Sequence, residues 1–189
     1  MTQYNRSFKN HIWLVWALLQ LPIILFIDGL DFLPPSLYLP ATSPLHVFHA
    51  LKADYIAQHN DPIAQWSPAT AAGHDSWMGL FVYAELVLSL PILLFTVYRL
   101  CVQRRGTSGA HELALLVYAF ETAFTTLTCI HDTLYWDPQV YSVEARKTLV
   151  VNMYSPWLIV PSIMFIDMAS RILGRIRVAD AAVETKKTN

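Results

Sequence analysis

The chain has 189 residues, of which 54% are hydrophobic and only 14% charged, with a formal net charge of −1. No basic surface able to neutralise a phosphate backbone is available, which excludes nucleic acid as a partner. The two cysteines, Cys101 and Cys129, have neither disulfide-framework nor zinc-type spacing and read as inert.

Apolar residues gather into four runs, His11–Ile27, Trp77–Tyr98, Leu113–His131 and Thr148–Ile166. Each is close to the roughly 20 residues that cross a bilayer as a helix. The expected fold is all-α: a polytopic membrane protein with a bundle of four transmembrane helices at about 11–29, 77–98, 113–134 and 148–171. The first run shows no small-residue cleavage pattern and passes through Asp28-Gly29 into a proline-rich turn, so it reads as a retained helix. The loop that follows, 31–76, opens on Leu33-Pro34-Pro35 and then places Val47, Phe48, Leu51, Tyr55 and Ile56 at helical spacing. A short amphipathic helix ended by Asp61-Pro62 is expected there. Loops this long are commonly functional, and two readings stand: a lid over an interior chamber, or a solvated connector.

Gly106–Gly109 marks a tight turn between the second and third helices. From Val178 the chain is more polar and reads as a disordered tail, 178–189, beyond a membrane domain of residues 1–177. Ten of the thirteen Lys and Arg residues flank the helix ends that share a side with both termini, leaving Lys52, Arg146 and Lys147 opposite. Both termini are therefore expected in the cytosol. The sequence closes on Lys186-Lys187-Thr188-Asn189, which resembles the dilysine retrieval address of endoplasmic reticulum membrane proteins.

An acid near the middle of a membrane helix costs about 2.5–3.5 kcal/mol on insertion scales, so each one needs a reason. Asp167 has Arg171 four residues on, and an i,i+4 pair accounts for it. Glu121 shares a face with Thr125 and reaches either an interior chamber or a neighbouring helix. Helix direction sets Asp28, Glu85, Thr125, Thr126, Tyr154 and Trp157 in one layer of the lumenal half, with Glu85 roughly 12 Å inside its helix. Pro22, Pro91, Pro156 and Pro161 each delete an intrahelical hydrogen bond beside that layer and favour splayed helices. From spacing alone, Asp28 and Glu85 have three readings: structural partners, a proton donor and acceptor, or an anchor for a ligand cation assisted by the Tyr154 and Trp157 rings. The seven histidines show no HxxxH or HExxH spacing, so no metal or other cofactor is expected.

Five segments carry a resemblance. They are Leu21-Pro22-Ile23-Ile24-Leu25-Phe26-Ile27-Asp28, Leu33-Pro34…Leu37-Tyr38, Asn60-Asp61-Pro62, Trp77…Glu85-Leu86…Leu90-Pro91, and Tyr154-Ser155-Pro156-Trp157 through Pro161. In this order and spacing the chain, from about Trp13 to Arg171, resembles the sigma-2 receptor family of the EXPERA superfamily, which also holds the emopamil-binding sterol isomerase. The resemblance implies a four-helix, often homodimeric protein of the endoplasmic reticulum membrane with an occluded pocket for a sterol, a membrane lipid or another amphiphilic small molecule. It assigns Asp28 to the ligand's cationic amine, Asp61 to a supporting hydrogen bond onto Asp28, and Glu85, Tyr55 and Tyr154 to the pocket wall. Thr126, or Thr125 if the register slips by one, matches a pocket threonine, and Trp157 stands where a second tyrosine is found. Gln20 and Ser89 replace polar residues of other identity. The isomerase branch needs a histidine four residues before the first acid and an asparagine three before the tryptophan; here those positions hold Ile24 and Tyr154. A non-enzymatic binding protein, with family roles in sterol trafficking or efficient mitochondrial precursor targeting, is therefore the expectation.

Overall fold

The computed structural model describes residues 3–69 and 76–188, so the part of the long loop at 70–75 lies outside the described residues. Five helices follow in order: α1 (3–28), α2 (His46–His59), α3 (76–102), α4 (Gly109–Asp132) and α5 (143–188). Short 3-10 turns at Leu30–Phe32, Pro35–Leu37 and Thr133–Tyr135 complete the described secondary structure, which contains no strand. Four stretches are long and apolar enough to cross a membrane: Phe8–Asp28, Trp77–Val102, Gly109–Tyr135 and Val143–Lys187. Four crossings return the chain to its starting side, so both ends share one face, the terminal face, and α2 belongs to the opposite loop face.

The helices extend beyond their apolar runs because local caps, not lipid, set their starts. Ser108, in extended backbone, accepts from the His111 amide, and Ser142 accepts from the Ala145 amide. The expected disordered tail is corrected: helix continues unbroken through Val178 to Thr188, and residues 178–187 are exposed. A helix already nucleated inside the membrane needs only one further hydrogen bond per added residue, and Ala179, Ala181 and Ala182 favour that continuation. At 1.5 Å per residue α5 is about 69 Å long, roughly twice the hydrocarbon thickness, so its final turns stand clear of the bilayer.

Helix α2 forms as expected, and its inward side carries Lys52 beside three of the expected apolar positions. Val47 and Leu51 are exposed, while Phe48, Lys52, Tyr55 and Ile56 are half-buried. Phe48 stacks on Phe26 of α1 at 4.7 Å between ring centres. Asn60 closes α2 in the left-handed region (φ 50°), its amide bonded to the Ile56 carbonyl, a conformation that asparagine tolerates better than most residues.

Three helices contain a wide, π-type turn next to a proline. These turns are Ile24–Asp28 just after Pro22, Glu85–Ser89 just before Pro91, and Leu149–Tyr154 just before Pro156. Proline removes one amide and crowds the carbonyl four residues back, which for Pro91 and Pro156 falls inside the wide turn, at Val87 and Asn152; a further wide turn, Tyr98–Val102, has no proline beside it. Pro161 sits in ordinary α-helix.

The dry centre joins four helices: Trp13, Trp16, Ala17 and Ile24 of α1, Leu93 of α3, Leu115, Tyr118 and Ala119 of α4, and Met164 and Met168 of α5. Lipid tails are as apolar as these side chains, so association must come from close packing and interhelical polar contacts. The terminal face supplies the second. Buried Asp167 accepts from Lys9 Nζ on Oδ1 (2.6 Å) and from Trp13 Nε1 on Oδ2 (2.9 Å), and Arg171 Nη2 lies 2.7 Å from the same Oδ2. Arg171 also donates to Asn10 Oδ1 (2.6 Å), and Arg175 grips both oxygens of fully buried Glu112 at 2.6 and 3.0 Å. The i,i+4 pairing expected for Asp167 is present within α5, and the bonds from Lys9 and Trp13 to Asp167 and from Arg171 to Asn10 tie α5 to α1.

Removing one member of a buried ion pair leaves the other charge uncompensated, a loss of roughly 3–5 kcal/mol. Arg175→Met, which strands fully buried Glu112, is expected to lower unfolding stability in that range, and Arg175→Met with Glu112→Leu to lower it by less than the single change. Thermal unfolding in detergent measures both; a double variant as unstable as the sum of two singles would refute the pairing.

Candidate functional site

Towards the loop face the helices part around a cavity of about 420 Å³, walled by α1, α3, α4 and α5 and roofed by α2 and the segment after it. All seven residues singled out from the sequence reach its wall: Asp28, Asp61, Glu85, Tyr55, Thr126, Tyr154 and Trp157. The wide turns explain the convergence, because Asp28 ends one, Glu85 begins another and Tyr154 ends the third. Each such turn rotates the side chains beyond it relative to a regular helix, and π-type turns recur at functional sites for that reason.

The acids differ sharply in their company. Asp61, only 2% exposed, accepts three hydrogen bonds: Tyr55 Oη on Oδ2 (2.7 Å), Tyr154 Oη (2.7 Å) and the Ile63 amide (2.9 Å) on Oδ1. It therefore pins the α2 segment to α5. The expected direct bond from Asp61 to Asp28 is not made; among the described residues Asp61 is saturated by two phenols and a backbone amide, which leaves it no need of a second acid. Asp28 and Glu85 present the opposite case. Both line the cavity half-buried, and neither receives a hydrogen bond from any described side chain or amide.

Glu121 is resolved between its two readings in favour of the neighbouring helix. Its Oε2 accepts from buried Ser89 of α3 at 2.7 Å, and it is not part of the cavity wall. Thr125 and Thr126 both border the cavity, with their hydroxyls turned back to the Thr122 carbonyl at 3.1 and 2.8 Å. Their donors are thereby occupied, and what they offer inward is methyl surface and oxygen lone pairs. The indole N–H of Trp157 is likewise committed, to Gln20 Oε1 at 2.9 Å, so Trp157 meets the cavity as an aromatic surface.

Sequence reasoning missed Lys52, Trp66, Met78, Phe81 and Cys129, all on the wall. Trp66 comes from the loop and lies against Gly79 of α3, where an added Cβ would approach its ring to 2.9 Å. The signal for this contact was a glycine in an otherwise unbroken apolar helix. Cys129, read as inert, is a free, half-buried thiol on the same wall.

Comparison with known proteins agrees with this architecture. Residues 47–168 match the family described as EXPERA (EXPanded EBP superfamily). The chain belongs to the EXPERA family. It is 28% identical over 167 residues to Sigma intracellular receptor 2 of Homo sapiens, covering 82% of this chain and 85% of that protein. It is also 24% identical over 166 residues to Efficient mitochondria targeting-associated protein 19 of Saccharomyces cerevisiae, covering 83% and 94%. A match of 24% to the Schizosaccharomyces pombe protein of the same name spans 98% of this chain. Within this EXPERA chain the matched segment takes in α2, the Asp61 turn, Glu85, Tyr154 and Trp157, while Asp28 precedes it.

Burial and the adjacent Asp61 carboxylate push the Tyr55 phenol above its ordinary range. A proton held more tightly in the folded state contributes stability that is complete below the unfolded phenol's pKa of about 10 and declines as pH rises beyond it. Stability should therefore be flat near neutrality and fall above about pH 10, and Tyr55→Phe should flatten that alkaline fall. At neutral pH either Tyr55→Phe or Tyr154→Phe, removing a donor to a charged acceptor, is expected to cost about 1.5–3 kcal/mol in unfolding experiments. Phenylalanine at both sites with no loss would show that Asp61 does not depend on its phenols.

Proposed function

We propose that this EXPERA protein receives an amphiphilic small molecule, a sterol, a lipid or a cationic amphiphile, in its intramembrane cavity, without performing chemistry on it. One observation carries the reading: Asp28 and Glu85 open onto an apolar-walled space with no hydrogen bond from any described residue. A carboxylate in that setting gains strongly from an ammonium group brought by a guest, because an opposite charge in a low-dielectric site interacts far more strongly than in water. Tyr55, Tyr154 and Trp157 add aromatic faces able to attract a cation or pack on a ring system. Asp61 serves by holding Tyr55 and Tyr154 in place.

The family relationship supports this reading at its own level. One relative is named as an intracellular receptor and the yeast proteins are named for mitochondrial targeting. The cellular role we propose is in sterol trafficking and homeostasis or in delivery of mitochondrial precursors. The place we propose is the endoplasmic reticulum membrane with both termini in the cytosol, an orientation supported by the basic residues of the terminal face. Isomerisation of a sterol double bond is the rival, since Glu85 is available as a proton-transfer group. Two features weigh against it: Ile24 is 2% exposed and carries no proton, and the Tyr154 hydroxyl is engaged by Asp61.

The test is Asp28→Asn in purified protein. Affinity for a cationic amphiphile is expected to fall by at least about tenfold, or about 1.4 kcal/mol, at unchanged expression and folding. Equal affinity in a well-folded variant would remove Asp28 as the anchor. Incubation with an 8-ene sterol is expected to give no product; sustained turnover would establish the isomerase instead.

A further inference from the structure

Among the described residues the cavity wall carries one cation. Lys52, from the inward stripe of α2, has a side chain only 12% exposed and reaches two acceptors: Asp31 Oδ2 at 2.7 Å and the Ile27 carbonyl at 3.3 Å. An ammonium has three N–H donors, so one is unclaimed by any described residue. Ile27 is the residue before Asp28, which places this ammonium at the same rim of the cavity as the unpartnered carboxyl. A lysine buried in a membrane protein solely to bridge two elements needs nothing beyond its acid partner. This one borders the cavity as well.

We infer that Lys52 reads the ligand's head group, and that the cavity takes a zwitterionic amphiphile: an ammonium towards Asp28 and Glu85, and an anionic oxygen a few bonds away towards Lys52. This rests on the cavity binding an amphiphile as proposed above and specifies its chemical class. A simple amine would meet the field of Lys52 as well as that of Asp28, and the like charges repel. A simple anion would meet two unpartnered carboxyls and one shared ammonium, and would be rejected. A head bearing both charges meets each with its complement. Asp31, sharing Lys52, moderates the attraction. Discrimination of this kind comes as much from repelling the wrong head as from attracting the right one.

Two probes that differ only in the anionic group test this: dodecyltrimethylammonium and N-dodecyl-N,N-dimethylglycine, titrated below their micellar range into full-length protein held in an uncharged maltoside detergent. Wild type is expected to bind the glycine betaine about tenfold more tightly. K52M is expected to reverse that order, weakening the betaine and leaving the trimethylammonium equal or tighter. D31N, which frees Lys52 from its partner while retaining it, is expected to widen the wild-type preference, and it keeps the question answerable if K52M unfolds. Wild type favouring the trimethylammonium, or K52M weakening both probes by the same factor, would overturn the assignment and leave Lys52 as a latch between α2 and α1. Binding of neither probe to wild type would overturn the amphiphile reading itself, and this inference with it.

Discussion

A carboxyl group placed where water is scarce must find a donor, a counter-ion or a guest, and this requirement arranges much of the interior. Asp167 meets it with Lys9, Trp13 and Arg171, Glu112 with Arg175, Asp61 with two phenols and an amide, and Glu121 with Ser89. Each solution joins residues far apart in sequence. Because apolar surface gives little drive for helices to associate in lipid, these polar joints do work that a soluble protein leaves to its hydrophobic core. Asp28 and Glu85 stand outside the pattern, and the cavity is where they stand.

The two faces of the bundle are thereby given opposite characters. At the terminal face arginine and lysine reach their acids directly, and the helices close around Tyr118, Met164 and Met168. At the loop face each wide turn beside a proline spreads its helix, and the space so opened is lined rather than filled. A proline that would be a defect in a packed core becomes, in this half of the bundle, the means of turning Asp28, Glu85 and Tyr154 to a common point.

The roof is held by contacts of three kinds. Phe48 stacks on Phe26, Lys52 bridges to Asp31, and Tyr55 joins Tyr154 through Asp61. Of the two readings the long loop allowed, a solvated connector accounts for none of these, whereas a cover over the cavity accounts for all three. The same contacts make the roof part of the site, since the residues that secure it also border the space beneath.

The sequence alone determined the four spans, because unbroken apolar length is a property of the chain and not of its packing. It also determined that α2 forms and where it stops, through local spacing and Asp61-Pro62. Of the seven residues nominated, Asp28, Glu85, Thr126, Tyr154 and Trp157 share a level because depth along a span follows from residue number, whereas Tyr55 and Asp61 came from the family resemblance; all seven border one cavity. What it could not determine was direction around each helix axis and partnership across the bundle. The stripe of α2 that faces inward is set by its docking onto α1, so Lys52, which the helical spacing did not nominate, lies inside and Val47 outside. Asp61 was assigned to Asp28 by resemblance and went to Tyr55 and Tyr154, because the tertiary structure brings hydroxyls nearer than a second acid. The tail beyond Val178 was read from polarity as disordered, yet it inherits helix from the span that precedes it. Spacing along a chain fixes which groups share a level; only the folded bundle decides which of them face one another.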